Sequence, residues 1–364
     1  MGLTLVDLYL RFLLILVTKY KYMKKDCFIL GTRPTIIKLA PIIKKTNAFV
    51  IHTGQHKELA DNMYKLFNIK PDIDLKMMKK NQDISEFLSE CIYKLNKIVK
   101  KNKFERIWVH GDTMSCLAGA IVASMNKITL IHNESGLRSY DKNNPFPEET
   151  TRILIDNMAD ILFAPTKRAV KNLKKENIKG KIYMVGNTVV DALEMFKKKL
   201  PKKRPIEEKY ILATIHRRES FGNDIIEIFK ALKELSKTTK VILPVHPNPN
   251  VQKAIKEIGL ETIKPIDYKT FLWYLRDCEY VCSDSGGIQE EVPSFNKKII
   301  VLRKTTERPE TIESGYGILV NKLEKQHILK TINKFIKIKT PNKKNPFGNG
   351  DSSKKILKTI KKNV

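Results

Sequence analysis

Cysteine is scarce in this sequence, with five residues among 364. Cys27, Cys91, Cys116 and Cys282 lie in apolar periodic segments, where cysteine behaves as a small core residue. Cys278 and Cys282 have no histidine near them, which argues against a zinc site, and no other metal-ligand cluster stands out. The five cysteines are too few and too irregular for a disulfide scaffold, so we expect a reducing compartment, the cytoplasm.

A long apolar run that could cross a bilayer is missing near the N-terminus. Residues 3–17 are apolar, but they contain Asp7 and Arg11 and are too short to span a membrane. No small-residue cleavage site follows them, so a signal peptide does not fit. We interpret residues 1–22 as an extension upstream of Met23, with an interfacial anchoring helix as the alternative. Stable membrane insertion is not expected.

Acidic residues are few compared with basic ones: 39 Asp and Glu against 68 Lys and Arg, for a formal net charge of +29. The lysines are scattered along predicted helix faces, and neither an RNA-binding aromatic signature nor zinc-finger spacing accompanies them. We therefore interpret the charge as a solvated basic surface with a bias towards anionic ligands, and we do not expect nucleic acid as a partner.

Short apolar runs alternate with helix-length amphipathic segments from Asp26 onward, a pattern typical of βαβ units and a parallel sheet. A basic, proline-containing stretch at residues 202–205 resembles a linker, and the pattern restarts after it. The sequence therefore predicts two doubly wound, Rossmann-like α/β domains facing a central cleft. The expected boundaries are an extension at 1–22, a first domain at 23–200, a second at 201–345 and a final segment at 346–364.

The run VCSDSGGIQEE, residues 281–291, predicts a short strand, a Ser-Gly-Gly turn and a helix that carries Glu290 and Glu291. The glycines allow a ligand to approach the backbone closely, and the first helical amides offer an anion site. A pyrophosphate on the amides and sugar hydroxyls on a glutamate would fit, which points to a nucleotide-sugar. The alternative is a plain N-capped helix in which Ser285 is only the cap.

Other polar motifs occupy the same position, directly after the end of a predicted strand. The carboxyl ends of the strands are where open α/β sheets bind ligands. Because several such loops would converge on one cleft, the sequence predicts an active site there. The motifs are GTRP at 31–34, TGQH at 53–56, HGDT at 110–113, NESGLRS at 133–139, HRRES at 216–220, HPNPN at 246–250 and RKTTERPE at 303–310.

In order and spacing, these motifs resemble the non-hydrolysing UDP-N-acetylglucosamine 2-epimerases from about Cys27 to the NPFGNGDSSKKI segment near the end of the chain. The resemblance implies the glycosyltransferase-B architecture, with the last helix crossing back to the first domain, and a homodimer. It also implies interconversion of UDP-N-acetylglucosamine and UDP-N-acetylmannosamine at carbon 2. In that family UDP is eliminated to give 2-acetamidoglucal and then added back, without NAD or a metal, so no cofactor is expected.

The resemblance also implies site residues, carried over by matching motifs. Asp112, Glu134 and Glu148 match the catalytic carboxylates, and His216 matches the histidine near the diphosphate. Each carboxylate alone could instead be a cap or a solvated acid, and which one is acid or base stays open. The implied substrate-binding residues are Arg33, Lys38, His216, Phe271, Ser285, Gly286, Gly287, Glu291 and Arg308, of which Phe271 could equally be a core aromatic.

The sequence departs from the family pattern at a few positions. Thr35 stands where the family usually has an acid, and a threonine is a sound helix N-cap there. Bacterial members bind a second UDP-N-acetylglucosamine as an activator. Glu58 stands where a glutamine is often found in that site, and the basic residue expected near Asn81 is uncertain, so activation stays open. Three residues match part of that activator site: Gln55, Arg217 and His246.

Three other functions share the predicted fold or ligand. A glycosyltransferase would transfer the sugar to an acceptor, a hydrolysing epimerase would release free N-acetylmannosamine, and a non-enzymatic binder of a nucleotide-sugar or a nucleic acid would show affinity without turnover. The products formed from UDP-N-acetylglucosamine distinguish all of them.

Overall fold

The protein is described by a computed structural model at residues 25–54, 57–79, 82–245 and 247–363. The expected extension at residues 1–22 lies outside the described residues. The first half of the chain forms a seven-stranded parallel sheet in the order β3-β2-β1-β4-β5-β6-β7. Its strands are β1 (Asp26–Leu30), β2 (Ala48–His52), β3 (Ile73–Asp74), β4 (Arg106–His110), β5 (Thr129–Asn133), β6 (Ile161–Ala164) and β7 (Lys181–Met184).

Helices connect these strands and cover the sheet. They are α1 (Arg33–Ile43), α2 (Lys57–Phe67), α3 (Ile84–Lys101), α4 (Met114–Met125), α5 (Glu148–Met158), α6 (Lys167–Lys175) and α7 (Thr188–Lys197). The central strands are apolar and almost fully buried along their length, because helices cover the sheet on both faces. Helix α4 is built mainly of small and apolar residues and is buried on most of its surface.

The second half of the chain forms a five-stranded parallel sheet in the order β12-β11-β10-β8-β9. Its strands are β8 (Tyr210–Thr214), β9 (Lys240–Ile242), β10 (Tyr280–Ser283), β11 (Lys298–Val301) and β12 (Gly317–Leu319). Its helices are α8 (Asn223–Ser236), α9 (Pro249–Ile258), α10 (Tyr268–Asp277), α11 (Gly286–Glu291), α12 (Pro309–Glu313) and α13 (Lys325–Phe335), and α14 (Ser352–Asn363) ends the described chain. The prediction of two doubly wound α/β units is confirmed.

Each sheet has one position where the strand order reverses, between β1 and β4 in the first half and between β8 and β10 in the second. Loops leaving neighbouring strands at such a position diverge to opposite faces and leave a crevice at the carboxyl edge. The predicted motifs GTRP and HGDT follow β1 and β4, whereas HRRES and SDSGG follow β8 and β10. The topology therefore explains why motifs distant in sequence meet.

Aromatic side chains join the two halves beside this crevice. Tyr268 begins α10 of the second half, and its ring centroid lies 6.1 Å from that of Phe196 and 6.4 Å from that of Phe67 in the first half. Phe67 and Phe196 also contact each other edge to face, with centroids 5.1 Å apart. One hydrophobic cluster accordingly contains residues of both halves.

The chain returns to the first half at its end. Helix α14 contacts α1 and α7, and its side chains Ile356 and Ile360 are buried there. Asp191 in α7 accepts hydrogen bonds from the backbone amides of Ser352 at 3.1 Å and Ser353 at 2.8 Å, and from the Ser353 hydroxyl at 2.6 Å. Asp191 therefore satisfies donors at the start of α14 that have no partner within the helix.

Two further observations concern the class of protein. Within the described ranges, no helix combines the length and the apolar character needed to cross a membrane. All five cysteines are free and buried.

The Asp191 contacts generate a stability prediction. Asp191→Ala leaves two buried amides and a hydroxyl without acceptors, so we expect the free energy of unfolding to fall by about 2–4 kcal/mol. Chemical denaturation measures this difference. Asp61→Ala, at an exposed position of α2, is the matched control and should change stability little. Equal stability of the two variants would contradict the docking role.

Candidate active site

The second half contributes one wall of the crevice, and Asp284 fixes its shape. Asp284 follows β10, is fully buried, and its Oδ2 accepts the backbone amides of His216 and Arg217, both at 2.8 Å. The hydroxyls of Thr214 and Ser283 also hydrogen bond, at 2.7 Å, between β8 and β10. The loop that carries His216 is thus held against the loop that carries Ser285.

A pocket between the two halves brings most of the predicted substrate-binding residues together. Phe271, Val245 and Ile266 give it apolar surface, while His216 and Ser285 give it polar groups. Burial lowers the pKa of His216 more than Asp284 raises it, so the imidazole is neutral at pH 7. Phe271 is half-buried, packs against the core and also lines this pocket, so its predicted contact with uracil stays a prediction. The predicted residues that line this pocket are Arg33, Lys38, His216, Phe271, Ser285, Gly287 and Glu291.

Gly286 lies beside the pocket, against Arg308. A Cβ atom at position 286 would lie 2.5 Å from Arg308 Nη1 and 3.0 Å from Glu307 Oε1, so any side chain there would displace these groups. The glycine predicted from the SGG turn is therefore needed for close packing of the arginine.

Four buried charged residues form a cluster where the halves meet, and we call it the bridging cluster. Lys38 from α1 makes ion pairs with Glu134 and, at 2.8 Å, with Glu290 Oε2. Arg308 Nε donates to Glu290 Oε1 at 2.7 Å, and Arg308 Nη2 lies 3.6 Å from Glu134 Oε1. Each half thus supplies one cation and one carboxylate.

The surroundings separate the pKa values of the two carboxylates. Burial alone would raise the pKa of Glu134, but Lys38 and His110 outweigh it, so its pKa lies well below the usual value. Burial raises the pKa of Glu290 more than Arg308 and Lys38 lower it. Glu134 is therefore the stronger acid of the two, and Glu290 takes up a proton more readily.

Glu134 is held on all sides. Asn187, which follows β7, donates from Nδ2 to Glu134 Oε2 at 2.5 Å and to Glu290 Oε1 at 3.0 Å. His110 Nε2 lies 3.5 Å from Glu134 Oε1, and Asn133 contacts the other ring nitrogen of His110 at 2.9 Å. The backbone of Glu134 adopts φ = 67°, in the left-handed region that residues other than glycine seldom occupy. Its orientation is therefore fixed by the surrounding structure.

The two other predicted carboxylates lie near each other. Asp112 follows β4 and makes an ion pair with Arg152, whose Nη1 also lies 2.8 Å from Glu149 Oε2. Glu148 begins α5, and its buried Oε2 has no hydrogen-bond partner among the described residues. Burial and the charge of Asp112 raise the pKa of Glu148. A raised pKa makes this carboxyl group easier to protonate than an exposed glutamate.

Glu291 lies on the pocket wall and hydrogen bonds with Tyr268. Tyr268 Oη donates to Glu291 Oε1 at 2.7 Å, and both residues are buried. Burial raises the pKa of Glu291 to about 7, although the hydrogen bond from Tyr268 lowers it. A group that is half protonated near pH 7 can either donate to or accept from a ligand hydroxyl.

Some predicted residues cannot be located. Gln55 and His246 lie outside the described residues, as does Asn81, and the side chain of Glu58 is not described. Arg217 follows His216 in the chain and is partly buried, with Nη1 3.6 Å from Glu219 Oε1. The expected activator site therefore stays a prediction. Within the described part of the chain, no group of three or more His, Cys, Asp or Glu is arranged to hold a metal ion.

Sequence reasoning missed several residues of the site. Glu290 belongs to a recognised motif, but its ion pairs with Lys38 and Arg308 join segments far apart in sequence. Asn187 follows a strand, which is the signal that revealed the other loops and would have revealed this one. Arg152 lies inside a helix and carries no local signal.

Known proteins resemble this chain over most of its length. The family model described as UDP-N-acetylglucosamine 2-epimerase matches residues 43–361. The UDP-N-acetylglucosamine 2-epimerase of Campylobacter jejuni is 37% identical, over 93% of this chain and 97% of that protein. The enzyme of the same name from Escherichia coli (strain K12) is 36% identical, over 92% and 98% respectively.

Solved structures agree with these relatives. UDP-GlcNAc 2-epimerase from Neisseria meningitidis, bound to UDP-GlcNAc, has a TM-score of 0.87 and 37% identity over 93% of this chain and 100% of that one. UDP-GlcNAc 2-epimerase from Methanocaldococcus jannaschii, in complex with UDP-GlcNAc and UDP, has a TM-score of 0.84 and 36% identity over 92% and 99%. Two parallel-sheet halves around a charged crevice define an α/β protein of the glycosyltransferase-B class. The chain belongs to the UDP-N-acetylglucosamine 2-epimerase family.

The environment of Glu291 predicts a dependence of stability on pH. The folded protein holds the Glu291 proton up to about pH 7, whereas the unfolded chain releases it near the ordinary value of 4.5. Between these values the folded state binds more protons, so the free energy of unfolding falls as the pH rises from 4.5 to 7. The side chain of Glu291→Gln stays neutral over this range, so the variant should not show the loss due to Glu291. We expect the decrease in the free energy of unfolding to be smaller in the variant than in the wild type by on the order of 3 kcal/mol.

Denaturation of the ligand-free protein at pH 5 and pH 7.5 measures this effect. Glu86→Gln, at an exposed position of α3, is the control and should follow the wild-type pH dependence. Parallel curves for the wild type and Glu291→Gln would show that Glu291 titrates as an ordinary carboxyl group.

Proposed function

We propose that this protein interconverts UDP-N-acetylglucosamine and UDP-N-acetylmannosamine by inverting carbon 2, as a non-hydrolysing epimerase. Family membership supports the reaction, and a single observation of the site supports the chemistry most directly. Three carboxylates at the crevice have different environments, because Glu134 is held by cations, Asp112 is ion-paired and Glu148 has a raised pKa. Such separation is what a reaction with one acid and one base requires.

The proposed reaction has two steps. A carboxylate removes the proton from carbon 2, the C–H electron pair forms the double bond between carbons 1 and 2, and the C1–O bond breaks. Its electron pair leaves on the β-phosphoryl oxygen of UDP, which gives 2-acetamidoglucal. UDP then adds back to carbon 1 while a proton is delivered to the opposite face of carbon 2.

We assign the roles of the carboxylates from their contacts. Asp112, ion-paired with Arg152, is the base for one face, and Glu148, whose pKa is raised, supplies the proton at the other. In the reverse direction the two exchange roles. Glu134 has both oxygens occupied by Lys38, Asn187, His110 and Arg308, so it stabilises charge and does not exchange a proton.

The nucleotide occupies the pocket between the two halves in this proposal. Arg33 and His216 lie beside Ser285, where they would bind the diphosphate, and Phe271 offers an apolar face to uracil. The Glu291 carboxyl group would meet the ribose hydroxyls. Lys38 and Arg308 reach the leaving group only by giving up part of their contact with Glu290.

We also propose a homodimer in the cytoplasm. Helix α4 packs against α3 on one side and against α5 on the other. Each of the three helices exposes a large apolar side chain: Tyr93 is 60% exposed, Met125 74% and Leu154 46%. An apolar surface spread over three adjacent helices suits contact with a second copy. The free cysteines agree with a reducing compartment.

The reaction is tested by incubating the protein with UDP-N-acetylglucosamine in deuterated water and following the products by NMR. We expect UDP-N-acetylmannosamine that carries deuterium at carbon 2, because the abstracted proton exchanges with solvent. Free N-acetylmannosamine would indicate hydrolysis. Complete retention of the original proton would rule out elimination through an exchangeable base.

The carboxylate roles give a separate prediction. Asp112→Asn, Glu134→Gln and Glu148→Gln should each lower kcat by about 100-fold or more, the scale of lost acid–base or electrostatic catalysis. Calorimetry should find UDP binding retained in Asp112→Asn and Glu148→Gln, since these carboxylates do not line the nucleotide pocket and a negative charge does not attract a diphosphate. Asp61→Asn serves as the control. Normal turnover in all three variants would refute the assignment.

A further inference from the structure

Arg303 is a buried arginine, and both terminal nitrogens of its guanidinium group, Nη1 and Nη2, have no hydrogen-bond partner among the described residues. It lies two residues beyond the end of β11, and only 5% of its surface is exposed. Glu307 Oε2 lies 2.9 Å from Nη1, in an ion pair whose geometry makes no hydrogen bond. Buried polar groups are almost always satisfied, so these donors need an explanation.

The surrounding charges make the burial of Arg303 more costly. Burial lowers the pKa of Arg303, and the positive charges of Arg217 and Arg308 lower it further, while Glu307 and the more weakly acting Glu219 oppose this. Glu307 also attracts Arg308, Arg217 and Arg152, which together hold its pKa well below the usual value although burial alone would raise it. One carboxylate is thus shared by four guanidinium groups.

Other carboxylates compensate most of these arginines. Arg152 has Asp112 and Glu149, Arg308 has Glu290, and Arg217 has Glu219. Arg303 makes no ion pair with any described residue other than Glu307. An additional anion beside Arg303 would satisfy its free donors and reduce the repulsion among the arginines.

Arg303 belongs to the same edge of the crevice as the nucleotide pocket. Strand β11 pairs with β10, with Val301 opposite Ser283, so the loops that carry Arg303 and Ser285 leave the sheet side by side. Glu307 and Arg308 lie directly against Gly286, because a Cβ atom at that position would come within 3.0 Å of both side chains. The chain of contacts from Arg303 through Glu307 therefore reaches the residues beside the pocket.

We propose that Arg303, oriented by Glu307, binds a phosphoryl oxygen of a nucleoside diphosphate in the crevice. The proposal rests on the function proposed above. The planar guanidinium group matches the paired oxygens of a phosphoryl group, and a neutral acetamido or hydroxyl group would leave the excess positive charge uncompensated.

This contact would strengthen during the reaction. When the C1–O bond breaks, the electron pair leaves on UDP and the β-phosphoryl group gains negative charge. Arg303 would then stabilise the transition state and bound UDP more than it stabilises the intact nucleotide-sugar. Loss of Arg303 should accordingly lower kcat more than it raises KM.

The phosphoryl group has two possible sources, since it belongs either to the reacting nucleotide or to a second nucleotide bound beside Arg217. Titration of the protein with UDP distinguishes them. If Arg303→Gln weakens the first binding event, the reacting nucleotide is the source. If Arg303→Gln removes only a weaker second binding event, the second nucleotide is the source of the phosphoryl group. Both results support the phosphoryl contact.

The test compares Arg303→Gln and Arg303→Lys with the wild type by calorimetry with UDP and by ligand-observed NMR with uridine. We expect Arg303→Gln to weaken one UDP binding event by about 10- to 100-fold, the scale of a lost charge-assisted hydrogen bond, without changing uridine binding. Arg303→Lys keeps the positive charge but lacks the paired N–H donors of the guanidinium group, so it should bind UDP more tightly than Arg303→Gln and more weakly than the wild type. Arg218→Gln, at the exposed neighbour of Arg217, is the matched control and should bind UDP normally.

Several outcomes would overturn the proposal. UDP binding equal to wild type in folded Arg303→Gln would do so, and so would equal weakening of UDP and uridine, because that points to a distorted pocket. If Arg303→Gln does not fold, Arg303→Lys and Glu307→Gln are compared with the wild type instead. The proposal is then overturned if both of these variants bind UDP as tightly as the wild type does. A wild-type protein that binds UDP but forms no UDP-N-acetylmannosamine refutes the proposed function instead, and the binding comparison still decides the role of Arg303.

Discussion

The contact between Glu290 and two cations, Lys38 and Arg308, is the interaction on which the rest of the site depends. Lys38 belongs to the first half and Glu290 to the second, and all three side chains are buried. Removing one partner from such a cluster leaves an uncompensated charge in a region of low polarity, at a cost of about 3–5 kcal/mol. The carboxylate therefore holds two like-charged groups close together and fixes the relative position of the halves at the crevice.

This arrangement gives each carboxylate of the crevice a different task. Glu134 is surrounded by donors and keeps its charge, Glu290 takes up a proton more readily, and Glu148 has a buried oxygen without a partner among the described residues. The groups are chemically alike, so the differences come from burial, neighbouring charge and hydrogen bonds. The surrounding four arginines keep Glu307 ionised at a depth where an isolated glutamate would be neutral.

The sequence predicts the architecture well because it depends on local patterns. Alternating apolar runs indicate parallel strands, and polar motifs after strand ends indicate where the crevice lies, whereas the roles expected of Asp112 and His216 come from the family resemblance. Contacts across the crevice cannot be predicted from local patterns, because the ion pair of Lys38 with Glu290 depends on how the two sheets are placed relative to each other. Spacing along the chain carries no information about that placement.

The return of α14 to the first half has a consequence for how the protein is made. Phe347 and Ile356 fill the same hydrophobic cluster as α1 and α7, and the backbone amide of Asn187 donates to the Phe347 carbonyl at 2.6 Å. A ribosome synthesises these residues only after the whole second half. During translation the face of α1 and α7 that α14 covers is therefore exposed to solvent until α14 has been synthesised, and an exposed apolar face of this kind is prone to aggregation.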